Sequence, residues 1–117
     1  NKTAICFITV DYRAKWVGSY DCERKGGSVI QVIIDVNVKG DSILYITERG
    51  LDVDQYGYYP HGVHHDMKVD SDGDFKIISE GKPYISGRFC KDSIYIDYTD
   101  GSPNYTVTFK YKGKKQK

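Results

Sequence analysis

The chain has 117 residues, of which 39% are hydrophobic and 14% aromatic, and this predicts one domain with an ordinary core. Its 17 basic and 16 acidic residues leave a net charge of +1, so no overall field attracts nucleic acid or an anionic membrane. The apolar runs are too short to cross a bilayer as helices.

Alternation of apolar and polar residues with a period of two predicts strands along the whole chain. It is clearest at residues 30–38, where Ile30, Ile34 and Val38 share one face and Asp35 lies on the other. No comparable helical period is present. We predict strands near residues 16–24, 28–39, 42–49, 63–70, 74–79, 84–90, 93–99 and 104–112, with a further strand at Ala4–Tyr12.

Two turns give a test of the strand register, because a hairpin must place the apolar residues of both strands on one face. The turns are Lys91-Asp92 and the three-residue loop Ser71-Asp72-Gly73, with Gly73 in the left-handed conformation. They predict these opposed pairs: Phe89 with Ile94, Gly87 with Ile96, Ile85 with Tyr98, Val69 with Phe75, and Met67 with Ile77.

Consecutive hairpins with one apolar face predict an all-β fold, an eight-stranded antiparallel up-and-down barrel over residues 1–117. A β-sandwich is the alternative. The side chains expected inside are bulky, so we expect a largely filled barrel that functions through its surface. They are Trp16, Tyr45, Phe75, Phe89, Tyr98, Tyr105, Phe109 and Tyr111, with Tyr20 and Cys22 beside them.

The stretch Trp16-Val17-Gly18-Ser19-Tyr20 resembles the WxGxY opening of lipocalin-like or calycin-like barrels, in which the Trp closes one end. The closing stretch SGRFCKDSIYIDYTDGSPNYTVTFKYKGKKQ is similar to the end of small secreted bacterial lipoproteins of that kind. The resemblance implies a protein that is secreted or located in the bacterial cell envelope, in the periplasm or at the outer membrane surface. It also implies a lipid anchor at a cysteine upstream of Asn1.

All three histidines lie in the segment YPHGVHHD, which makes His61, His64, His65 and Asp66 candidate metal ligands. In a regular strand His65 points inward with Met67, whereas His64 and Asp66 point outward. A metal site needs three or four ligands in a set geometry, so we expect no metal site and no cofactor here. The alternative function is a metal-dependent hydrolase centred on these four residues.

The long connection from Gly50 to Gly62 is the candidate binding segment, because loops of this length often carry function. It contains Tyr56, Tyr58 and Tyr59 next to His61. Alternatively, it folds over an open barrel end and buries these tyrosines. The candidate binding residues are Trp16, Tyr56, Tyr58, Tyr59, His61 and His65.

These observations favour a non-catalytic binding protein of unknown role. The partner is a protein or glycan at the tyrosine-rich connection, or a small apolar ligand carried in the barrel. Residues 110–117 are basic, but with a net charge of +1 we expect a solvated edge strand rather than a nucleic-acid site. No transmembrane segment and no catalytic residue is predicted.

Two further sequence patterns, an acidic turn and the three cysteines, predict no additional site. Asp70-Ser71-Asp72-Gly73-Asp74 resembles the front of a calcium loop, but it lacks the bidentate Glu at the twelfth position, and a hairpin turn accounts for it. Cys6, Cys22 and Cys90 allow three disulfide pairings, which the sequence leaves open. Cys22 is expected inside the barrel and Cys90 outside.

Overall fold

The computed structural model describes residues 12–51, 55, 61–102 and 104–117. A 3-10 helix precedes eight strands, and each strand pairs antiparallel with the next. The last strand also pairs with the first, so the sheet closes into a barrel. The helix is Tyr12–Trp16, and the strands are β1 (Gly18–Gly26), β2 (Ser28–Gly40), β3 (Ile43–Glu48), β4 (His64–Val69), β5 (Asp74–Ile77), β6 (Tyr84–Cys90), β7 (Ser93–Ser102) and β8 (Tyr105–Lys115).

The predicted all-β barrel of eight antiparallel strands is therefore confirmed, and the sandwich alternative is wrong. Within the described part of the chain, none of the helical structure is both long and apolar enough to span a membrane.

The predicted registers of the β4–β5 and β6–β7 hairpins are confirmed. Val69 lies opposite Phe75, and the turn between them places Gly73 at a φ of +94°. The carboxylate of Asp70 accepts hydrogen bonds from the backbone N–H groups of Asp72 (2.9 Å) and Asp74 (3.1 Å), so it stabilises the turn. In the second hairpin the opposed pairs are Phe89 with Ile94, Gly87 with Ile96, and Ile85 with Tyr98.

The barrel interior is mostly apolar and filled by side chains, and among the described residues Glu48 is the one buried charged side chain. Three of the largest fully buried side chains are tyrosines, namely Tyr20, Tyr98 and Tyr111. Burial of apolar surface is the main favourable term in folding, so this interior stabilises the closed sheet. The remaining buried hydrophobic residues are Trp16, Cys22, Ile34, Val36, Leu44, Ile46, Val63, Met67, Val69, Phe75, Ile85, Phe89, Ile94 and Ile96.

Trp16 closes one end of the barrel. It is 4% exposed, and its ring stacks on that of Phe89 with 5.1 Å between centroids. Its carbonyl accepts a 2.8 Å hydrogen bond from the hydroxyl of Tyr20. The prediction that Trp16 begins the first strand is wrong, because Trp16 ends the 3-10 helix and β1 begins at Gly18.

The structure corrects the expected positions of two tyrosines. Tyr45 is not inside, because β3 buries Leu44 and Ile46 and turns Tyr45 outward beneath the ammonium of Lys39. Both faces of β3 are apolar in sequence, so periodicity alone did not distinguish them. Tyr105 does lie on the inward face of β8, but β8 extends beyond the barrel there and leaves Tyr105 63% exposed.

The ends of the chain differ from two other predictions. The basic strand β8 is not an edge strand, because it pairs with β7 on one side and β1 on the other. Its backbone pairing with β1 continues to Lys115, and Gln116 donates to the carbonyl of Ser19. The further strand predicted at Ala4–Tyr12 lies outside the described residues except for Tyr12, which begins the 3-10 helix.

Candidate functional site at the histidine end of the barrel

The barrel end opposite Trp16 carries a cluster of polar side chains. We call it the histidine end and define it by Glu48, His61, His65, Tyr98 and Asp100. These residues come together because β3 ends at Glu48, β4 begins at His64, and β7 passes Tyr98 shortly before its hairpin. The Gly50–Gly62 connection starts and finishes at this end.

Asp100 is the centre of the cluster. One carboxylate oxygen accepts hydrogen bonds from the Tyr98 hydroxyl (3.1 Å) and from Nδ1 of His61 (3.1 Å), and the other accepts from the backbone N–H of Gly101 (2.7 Å). Burial raises the pKa of Asp100, but these hydrogen bonds outweigh it, so the pKa lies below its usual value. Asp100 is therefore ionised at neutral pH, and the three hydrogen bonds hold its carboxylate in place.

Tyr98 is held in its protonated form. Burial raises the pKa of its hydroxyl to about 12, while a hydrogen bond to the backbone of Gly62 opposes the shift and the charge of Asp100 adds to it. The phenol therefore donates a hydrogen bond and does not provide a phenolate nucleophile near neutral pH.

His61 and Tyr105 form the exposed wall of this end. The His61 side chain is 42% exposed, and its ring lies 6.4 Å from that of Tyr105 between centroids. Because a carboxylate only accepts hydrogen bonds, Nδ1 of His61 is the donor to Asp100, and its ring orientation is fixed. Both residues border a cleft of about 470 Å³, which Gly26, Gly27 and residues 106–109 complete.

His65 points into the barrel mouth, as predicted, and is half-buried. Its Nε2 atom is buried and has no hydrogen-bond partner among the described residues. Burial, with a smaller contribution from the neighbouring His64, lowers the pKa of His65 to about 4. The imidazole is therefore neutral at physiological pH.

Glu48 is a buried carboxylate that sequence reasoning missed. It is 6% exposed; Oε1 accepts a 2.5 Å hydrogen bond from the Tyr111 hydroxyl, and Oε2 accepts one of 2.6 Å from Arg24. The Arg24 guanidinium also lies over the ring of Phe109, 4.4 Å from its centroid. A signal was available, because strict alternation from Leu44 places Glu48 on the inward face.

The structure does not assemble the four candidate metal ligands. His61 pairs with Asp100, and Asp66 accepts hydrogen bonds from Lys39 at 2.9 and 3.0 Å. The rings of His64 and His65 lie 4.2 Å apart between centroids, although the two residues alternate along the strand. In residues 12–51, 55, 61–102 and 104–117, no three His, Cys, Asp or Glu side chains are grouped to hold a metal ion.

The structure does not bring the other candidate binding residues together with the histidines. Trp16 lies at the closed end, away from the histidines, and Tyr56, Tyr58 and Tyr59 lie outside the described residues. Cys22 is buried and Cys90 exposed, on opposite faces as predicted, and both are free thiols.

No family model and no curated protein matches the sequence. A solved structure of a "putative outer membrane protein" from Bacteroides fragilis is similar, with a TM-score of 0.56 and 20% sequence identity. This likeness shows the fold alone. The match covers 92% of this chain and 54% of the Bacteroides fragilis chain, so this chain corresponds to about half of that protein.

Proposed function

We propose that the protein is a non-catalytic binding protein of the bacterial cell envelope and that its partner binds at the histidine end. The observation that carries the proposal is the fixed His61–Asp100–Tyr98 chain beside the exposed ring of Tyr105, at the edge of an open cleft. An exposed aromatic ring next to oriented hydrogen-bonding groups is typical of surfaces that recognise proteins and glycans.

The filled interior favours surface binding over transport of a small apolar ligand. Tyr20, Tyr98 and Tyr111 are each no more than 2% exposed and occupy the space that a carried ligand would need. Eight strands leave an interior just wide enough for side chains or one small ligand. A ligand inside this barrel would have to displace packed aromatic rings, at a cost of several kcal/mol.

The chemistry of the histidine end favours binding over catalysis. Asp100 is engaged by three donors, and the raised pKa of Tyr98 keeps its hydroxyl protonated. A hydrolase requires an activated nucleophile or a metal-bound water. The described part of the cluster offers the second ring nitrogen of His61 and the exposed ring of Tyr105, which suit contact with a partner.

An envelope location is supported by the lipocalin-like lipoprotein resemblance and by the name of the Bacteroides fragilis protein. The charged side chains outside the barrel favour a position at the membrane surface or in the periplasm, since barrels that cross a membrane present an apolar band to lipid.

The test is binding to glycan and peptide arrays, followed by titration of each hit against three variants. His61→Ala and Tyr105→Ala remove the exposed wall, and Tyr95→Ala is the matched control because Tyr95 is 39% exposed and lies opposite Arg88 on the outer wall, away from this end. We expect the first two to weaken a hit at least tenfold and the control to leave it unchanged. Equal affinity in all variants, absence of saturable binding, or chemical conversion of the bound ligand would overturn the proposal.

A further inference from the structure

The outer wall of the barrel carries a depression of about 700 Å³ that is separate from the histidine end. It extends across β4, β5, β6 and β7. We call it the lysine depression and define it by Lys68, Lys76, Ser86 and Tyr95. Its volume lies in the range of sites for small molecules, and it is larger than a single inorganic ion requires.

Two like charges face each other in this depression. Lys68 on β4 and Lys76 on β5 are directly opposed in the antiparallel register, and both are exposed. Directly opposed residues have Cβ atoms about 5 Å apart, and like charges at such positions destabilise a sheet. Among the described residues, no carboxylate forms an ion pair with either lysine.

The three carboxylates that line the depression are engaged by groups other than the two lysines. Asp74 pairs with Arg88 at 3.4 Å, and Asp97 pairs with Lys110 at 3.6 Å. Asp70 accepts two backbone hydrogen bonds within its turn. Among the described residues the two lysines therefore have no ion-pair partner, although the lining as a whole carries three basic and three acidic side chains.

Ser86 on β6 lies directly opposite Lys76 on β5. Lys68, Lys76 and Ser86 therefore form one row of residues across three neighbouring strands. The short side chain of Ser86 leaves the centre of the depression open and presents a hydroxyl donor. Tyr95, 39% exposed, lies in the adjacent row on β7 and provides an apolar wall. Two ammonium groups and a hydroxyl beside an aromatic ring suit an oxyanion that is attached to a larger body.

We propose that the lysine depression binds the phosphate group of a small ligand or of a lipid headgroup, with Lys68 and Lys76 supplying the charge and Ser86 a hydrogen bond. The site goes beyond the proposed partner surface, since it lies on the outer wall and shares none of the residues that define the histidine end. A bound phosphate would remove the repulsion between the two lysines.

The test uses the full chain and two double variants with the same change in net charge. Lys68→Gln/Lys76→Gln alters the depression, and Lys114→Gln/Lys117→Gln alters two exposed positions that do not line it. Inorganic phosphate and glucose 6-phosphate are titrated at low salt while backbone amide shifts are recorded. Vesicles of phosphatidylcholine, with and without phosphatidic acid, are tested by co-sedimentation.

We expect saturable shifts centred on Lys68, Lys76 and Ser86, and at least tenfold weaker binding in the first double variant but not in the second. Binding to phosphatidic acid vesicles without binding to the soluble phosphates also supports the site and identifies a lipid headgroup as the ligand. Equal losses in both double variants, or no saturable binding to any phosphate probe, would overturn the proposal.

A thermal unfolding measurement accompanies the titrations. Without ligand and at low salt, the Lys68→Gln/Lys76→Gln variant should unfold at the same Tm as the wild type or higher, because the substitution removes a repulsion. A lower Tm would contradict the charge repulsion on which the proposal rests. Lys68→Arg/Lys76→Arg keeps both charges and should retain phosphate binding.

Discussion

The Tyr111 hydroxyl donates a 2.5 Å hydrogen bond to Oε1 of Glu48 inside the barrel, which joins β8 to β3. Arg24 on β1 contacts the other oxygen of the same carboxylate, so three strands meet at one buried charge. Burial raises the pKa of Tyr111, and the hydrogen bond to Glu48 raises it further, so the phenol remains a donor. A buried carboxylate is tolerated only when it is paired and hydrogen-bonded.

Tyr111→Phe should destabilise the barrel by about 1–3 kcal/mol, because it keeps the ring packing but leaves Oε1 of Glu48 without its donor. Denaturant unfolding measures this change. Tyr84→Phe is the control, since Tyr84 is 57% exposed, and it should stay within about 0.5 kcal/mol of the wild type. A similar small change in both variants would show that the buried hydrogen bond contributes little.

The stability of the protein should fall as the pH is lowered from about 6.5 to about 4, because of His65. The unfolded chain takes up a proton on this imidazole near pH 6.5, whereas burial lowers the pKa in the folded state to about 4. The unfolded state thus binds more protons in this window, and acidification favours it. We expect a loss of about 1–2 kcal/mol, reduced by solvent screening because His65 is only half-buried.

His65→Gln should flatten the pH profile of the unfolding free energy between pH 6.5 and 4. The pKa values of Asp35 and Asp100 are lowered in the folded state. These carboxylates therefore lose their contribution to the free energy of unfolding only at more acidic pH, in the wild type and in His65→Gln alike. An unchanged profile in His65→Gln would show that another group titrates in this window.

Gly73→Ala should destabilise the protein more than Gly50→Ala, although both glycines have a φ of +94°. A Cβ at Gly73 would lie 2.8 Å from the carbonyl oxygen of Phe89 and 3.2 Å from the ring of Trp16, whereas a Cβ at Gly50 has no atom of the described residues within 4 Å. We expect about 1–2 kcal/mol from backbone strain at both sites and a further 1–3 kcal/mol at Gly73 from overpacking.

Thermal or denaturant unfolding measures the difference between these two variants, and the fluorescence of Trp16, the only Trp in the chain, reports whether its packing changes. Equal destabilisation by both alanines would mean that the turn moves to relieve the contact.

Cys90 should react with a thiol reagent much faster than Cys22 in the folded protein. Burial raises the pKa of the Cys22 thiol to about 12, and the charges of Asp21 and Glu48 add to the shift, so little thiolate forms. Cys90 is exposed. Mass spectrometry of peptides after brief labelling should find the modification at Cys90, with Cys22 labelled only in denaturant. Rapid labelling of Cys22 without denaturant would indicate that the closed barrel opens.

The sequence by itself determined the eight strands of the barrel and the register of the β4–β5 and β6–β7 hairpins, which short turns close. Phe89 opposite Ile94 and Val69 opposite Phe75 were predictable because a tight turn fixes which neighbours meet, and a slip of one residue would turn the apolar side chains outward. The position of His65 at the barrel mouth followed from the same alternation.

Only the tertiary structure decided how the sheet closes and which polar groups it buries. Cys22 on β1 lies opposite Gly113 on β8, a pairing of residues far apart in sequence that depends on the accumulated register of all eight strands. A Cβ at Gly113 would collide with Cys22 and the backbone of Asp21, so the seam requires glycine. The contact between Tyr111 and Glu48 likewise exists only in the closed barrel, because no local pattern brings β8 and β3 together.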